Sequence, residues 1–103
     1  MTAFAIDPVL HPPARLQIAA VLARTDEVEF ATLRDLVDVS DSVLSKHLSA
    51  LGDAGYVRLV KAARDGRQRT WARFTKKGTK AFAAHMAALR ELVAAAEQAV
   101  AAE

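Results

Sequence analysis

The sequence predicts a mainly α-helical domain with a small β-hairpin, in the order α-α-α-β-β-α and ending on a long helix. Three observations predict it. Two short leucine-bearing amphipathic segments are separated by a tight turn; an Asp-Gly pair stands between two β-rich runs; and an apolar seam repeats through the last quarter in steps of four and three. At 103 residues the chain has room for one core and no separate effector domain, so residues 1–103 are expected to form a single domain with 76–103 as its terminal helix.

The first helix opens at Pro12-Pro13-Ala14-Arg15-Leu16, where a proline is tolerated because its missing N–H would be unpaired in any case. Leu16, Ile18, Ala19, Val21 and Leu22 leave it little polar surface, so it should be buried on more than one side. Asp26-Glu27-Val28-Glu29 turns the chain, and Phe30 begins the next element with Thr32 as its expected cap. Leu33, Leu36 and Val37 form the apolar stripe of this second helix.

After the turn Asp38-Val39-Ser40, Ser40 caps a third helix running to about Ala54, with Leu44, Leu48 and Leu51 facing the core at i, i+4, i+7. Gly55 suits the left-handed stop. Two helices joined so tightly make a helix-turn-helix pattern. The runs 56–60 and 70–74 then flank Arg64-Asp65-Gly66-Arg67, a hairpin signal, and a basic hairpin in this position is a wing. Thr75 is expected to cap the last helix, with Gly78 tolerated in its first turn. Its seam runs Phe82, Met86, Leu89, Val93, Ala96, Val100.

The net charge of +2 conceals a sharp segregation. Residues 1–55 carry four Lys/Arg against eight Asp/Glu, a balance of −4, while residues 56–80 carry nine against Asp65 alone, a balance of +8. Residues 81–103 return to −2. So concentrated a basic block faces a polyanion more often than it forms an idle charged edge. The chain has no cysteine, which removes disulfides and thiolate metal sites and fits a cytoplasmic location. No membrane span, signal peptide, phosphate loop, HExxH motif or nucleophile triad is visible, and His11 and His85 are isolated histidines. No enzyme, cofactor or metal is expected.

Ser40-Asp41-Ser42-Val43-Leu44-Ser45-Lys46-His47-Leu48, then Leu51, Ala54-Gly55-Tyr56-Val57, Gly66-Arg67 and Phe74-Thr75-Lys76-Lys77-Gly78 stand in an order and spacing that resembles the winged helix-turn-helix regulators of the MarR/ArsR type. The similarity covers about Asp7 to Leu92. The cysteines of the ArsR metal sensors are missing, so the resemblance does not extend to thiolate metal sensing. It implies a homodimer built through the first and last helices, with Leu16, Phe82, Met86, Leu89 and Val93 at the interface, in line with the seam.

With three leucines inward, the third helix presents Ser42, Val43, Ser45, Lys46 and Ser49 outward and His47 at the margin. In a helix-turn-helix such positions meet base edges in the major groove and flanking phosphates. Arg64, Arg67 and Arg69 bracket the wing tip, where arginine enters a minor groove or binds backbone. Asp65 shapes the turn. Trp71 points out of the hairpin and is expected to pack against the dimer partner. The expected function is sequence-specific binding of double-stranded DNA by a dimeric regulator, a repressor by promoter occupancy, although activation suits the same residues. The alternatives are a winged helix used as a protein-interaction module, which the +8 block and polar helix face disfavour, and RNA binding, which lacks aromatic platforms. A small-molecule effector is left open at this stage, its identity unspecified.

Overall fold

The computed structural model describes residues 4–102, so the ends of the expected 1–103 domain and of the 76–103 helix fall outside the described residues. Helices α1 (Pro13–Ala23), α2 (Phe30–Val37), α3 (Asp41–Asp53) and α4 (Lys76–Ala101) surround strands β1 (Val28–Glu29), β2 (Val57–Arg64) and β3 (Arg67–Phe74). The α-α-α-β-β-α order is correct, with one addition. Val28 and Glu29, expected as a turn, form a short strand antiparallel to β3, opposite Ala72 and Trp71, so the hairpin belongs to a three-stranded sheet of order β1-β3-β2.

Local chemistry sets most boundaries. Pro13 occupies the first turn of α1, and Ser40 caps α3 by accepting from the Val43 N–H at 3.2 Å. Thr75 caps α4 by accepting from the Gly78 N–H at 3.0 Å, while its own hydroxyl donates to the Gly55 carbonyl at 2.6 Å. The hairpin turns on Asp65 (φ 52°) and Gly66 (φ 76°), the two positive φ values of a type I′ turn. The α2 cap departs from expectation. Glu29 holds that position without a side-chain capping hydrogen bond, and Thr32 lies inside the helix, because the β1 pairing already fixes how the chain enters α2.

One core joins these elements. Leu10 from the N-terminal segment, Ile18 and Leu22 of α1, Leu33 of α2 and Leu44, Leu48 and Leu51 of α3 are buried, and they meet Val57 and Ala72 of the sheet. Leu36 does not join them. It is 61 % exposed on the outer side of α2, where Leu33 and Val37 alone form the inward stripe.

Gly78 is required rather than merely tolerated, since a Cβ there would lie 2.1 Å from the Tyr56 carbonyl oxygen. That contact lets the first turns of α4 rest on the sheet. Beyond Ala88, α4 leaves the body, and every residue from 91 to 100 is exposed. At about 1.5 Å per residue, the projecting helix explains dimensions of 60 × 25 × 21 Å. Among the described residues no helix is long and apolar enough to cross a membrane.

The N-terminal segment is tied down by a polar cluster. His85 of α4 is fully buried, and its Nδ1 accepts the Asp7 backbone N–H at 3.0 Å. The Asp7 carboxylate accepts from the Tyr56 hydroxyl at 2.6 Å and from the Val9 N–H at 2.8 Å. The ring of His11 stands edge-on to His85 with centroids 5.6 Å apart, so the two histidines that look isolated in sequence are neighbours. Among the described residues no group of three or more His, Asp or Glu could hold a metal ion.

Candidate nucleic-acid interface

The surface of α3 divides along its length. Leu44, Leu48 and Leu51 are completely or almost completely buried, which turns Ser42, Val43, Ser45, Lys46 and Ser49 to solvent with His47 half-buried beside them. The six expected contact residues that belong to α3 therefore occupy one continuous strip. Asp41 in the first turn favours the positive end of the helix dipole. Arg34 of α2 donates to its carboxylate at 2.9 Å and also to Asp35 at 3.0 Å, so the acidic start of α3 is countered by a cation.

Burial lowers the His47 pKa below 6.5, and the nearby positive charge of Arg15 lowers it further. His47 is thus held neutral near pH 7, with one ring N–H and no charge. The same pairing places Arg15 of α1 beside the α3 strip, a position that spacing along the chain does not reveal.

The wing separates its cations by face. Antiparallel register sets Arg64 opposite Arg67, Ala62 opposite Arg69 and Lys61 opposite Thr70. Side chains alternate along a strand, so Arg64, Arg67, Arg69 and Trp71 share one face while Leu59, Lys61, Gln68 and Thr70 share the face of buried Ala72. On the first face Arg64 forms an ion pair with Glu27 and lies 4.0 Å above the Trp71 ring; Arg69 donates to Glu29 at 3.0 Å. Trp71 is accordingly covered by an arginine of its own chain. Arg67, at the exposed tip, forms no ion pair among the described residues.

The second face adjoins α3. Leu59, Lys61 and Thr70 line a groove with Ser45 and Ser49, and none of these three wing residues is among the contacts expected from the sequence. Counting by twos outward from the Asp-Gly turn would have separated them from the arginines.

The residues expected at a dimer interface lie along α1 and α4. Leu16, Phe82, Met86 and Leu89 are half-buried and Val93 is 52 % exposed. Phe82 packs partly within its own chain against Phe74, with ring centroids 5.9 Å apart, so the open part of the seam starts about one turn later. Lys76, Lys77 and Lys80 are exposed at the start of α4, and the Lys77 ammonium sits 5.8 Å from the centre of the Tyr56 ring.

Residues 14–93 match the family described as winged helix DNA-binding domain. The chain belongs to that family. It is 31 % identical over 74 residues to an uncharacterised protein of Methanocaldococcus jannaschii, covering 72 % of this chain and 80 % of the relative. Among solved structures it is similar to a transcriptional regulator homologue from Pyrococcus horikoshii OT3, with a TM-score of 0.80, 24 % identity and coverage of 84 % of this chain and 86 % of that one. It is also similar to a MarR family transcriptional regulator from Silicibacter pomeroyi, with a TM-score of 0.67 and 26 % identity over 82 % of this chain and 56 % of the longer relative. The resemblance to MarR-type regulators is borne out, and the winged helix is that of a DNA-binding regulator.

Proposed function

We propose that this winged-helix chain is a sequence-specific regulator that binds double-stranded DNA as a homodimer in the cytoplasm and represses by occupying a promoter. The observation that carries this reading is the polar strip of α3, backed by three buried leucines and set beside a basic wing. In it, Ser42, Val43, Ser45 and Lys46 enter the major groove, where short hydroxyls permit close approach, Val43 meets a thymine methyl and Lys46 reaches guanine or phosphate. Ser49 and neutral His47 donate to flanking phosphates. Arg67 at the wing tip contacts the backbone or the adjacent minor groove. Arg64 and Arg69 are engaged by Glu27 and Glu29 and add less.

The test is selection of sites from random duplexes followed by salt titration on the selected and an unrelated duplex. Replacement of Ser45 or Lys46 by Ala, for whichever of the two reads a base edge, should cost about 1–3 kcal/mol on the selected site and much less on the unrelated one. Arg67→Ala should weaken both nearly equally and lower the slope of log affinity against log salt by about one. Loss of sequence preference from Arg67→Ala alone would make the wing, and not α3, the reading element.

A further inference from the structure

The groove between α3 and the second face of the wing has a composition that base reading by α3 does not explain. It holds about 360 Å³ and is lined by Phe30, Leu48 and Leu59 together with Ser45, Ser49, Thr70 and Lys61. Leu59 is 48 % exposed although it stands directly opposite fully buried Ala72 and lines the same groove as buried Leu48. Lys61 forms no ion pair among the described residues, unlike Arg64 and Arg69 on the opposite face. An apolar lining of Phe30, Leu48 and Leu59 beside three hydroxyls and one ammonium matches a ligand with an apolar ring and an anionic group side by side.

Duplex geometry supplies such a ligand. The major and minor grooves of B-DNA are separated by a single sugar-phosphate ridge, and a protein placing a helix in one and a hairpin tip in the other must straddle it. The surface between α3 and the wing is this groove. We infer that it seats the sugar-phosphate backbone of one DNA strand: Leu59 packs on a deoxyribose ring, and Lys61, Thr70 and Ser49 donate to the adjoining phosphate. This rests on the DNA-binding reading above and assigns the wing's principal backbone contacts to a face that carries one lysine and no arginine. Arg64 and Arg69 then serve the protein itself by holding β1 and Trp71 to the sheet.

The experiment is a salt titration of binding to a random-sequence duplex of about three helical turns, with thermal melts confirming that each variant folds. Lys61→Ala should lower the slope of log affinity against log salt by about one and Lys61→Arg should restore it. Leu59→Glu should weaken binding by at least about tenfold by placing a carboxylate against the backbone, whereas Leu59→Met should bind normally. Arg64→Ala and Arg69→Ala should each lower the slope by less than Lys61→Ala does, because their charges are already paired. A wild-type chain that binds no duplex overturns the DNA-binding reading, and the groove assignment with it. A wild-type chain that binds, with Lys61→Ala keeping its slope or Leu59→Glu its affinity, overturns the groove assignment alone.

Discussion

His85 is the residue whose surroundings are most demanding. Its Nδ1 is an acceptor for the Asp7 N–H, so the neutral ring carries its proton on Nε2, which is buried and finds no partner among the described residues. Burial lowers its pKa below 6.5, the charge of His11 lowers it further, and the Asp7 carboxylate opposes both. Protonation would also turn the acceptor into a donor facing another donor. The unfolded chain takes up this proton near 6.5 and the folded chain only at lower pH. Stability is therefore complete above 6.5 and declines as pH falls from there through the native value. Urea midpoints measured across that interval should drop for the wild type and stay flatter for His85→Asn, which keeps an acceptor and does not titrate. Equal declines in the two proteins would point to another group. Asp7 works over a separate, more acidic range. Burial alone would raise its carboxyl, but the hydrogen bonds from Tyr56, Val9 and Leu10 prevail and hold it below 3.8, so that contribution is lost only as pH falls through its lowered value. Gly78 makes a steric counterpart. Gly78→Ala gains about 1 kcal/mol of helix propensity, yet its methyl group meets the Tyr56 carbonyl, and a net loss of about 1–3 kcal/mol in a denaturant melt is expected.

Among the elements, α3 and the wing show which features a sequence can express. Ser40, Leu44, Leu48, Leu51 and Gly55 announce α3 because its cap, period and stop are all local to the chain. Asp65-Gly66 announces the hairpin for the same reason. β1 is silent, since two residues carry no period and their strand exists only through pairing with residues more than forty positions later. The partners of Arg64 and Arg69 are hidden likewise, which is why three wing arginines look equivalent in sequence and only Arg67 proves to be without an ion pair among the described residues. The α3 cap gives a direct check. Ser40→Ala should cost about 1 kcal/mol of stability in a chemical melt, leaving the inward leucines and the fold unchanged. A variant as stable as the wild type would show that the bond to the Val43 N–H is replaced by solvent at no cost.

For the whole molecule, the α4 seam from Met86 onward, half-buried at Met86 and Leu89 and exposed from Val93, is the proposed seat of a second copy. Leu89→Lys should yield monomer or insoluble protein in sedimentation equilibrium; a soluble dimer of unchanged affinity would place the contact elsewhere. Two copies related by a two-fold axis present two α3 strips, so selected sites should be inverted repeats with half-site centres about 10 bp, or a multiple of one helical turn, apart. Recovery of asymmetric single sites alone would contradict a symmetric dimer on DNA.

The tie between Asp7 and His85 joins residues 78 positions apart, whereas the helices and the hairpin are built from nearby residues. Contacts so far apart in sequence are slow to find one another, and they are commonly made after the rate-limiting barrier of folding. The N-terminal segment then acts as a late latch on an already assembled body. Removing its hydrogen bond with Tyr56→Phe should quicken unfolding while leaving the refolding rate nearly as it was, so that the segment governs how long the native state lasts more than how fast it forms.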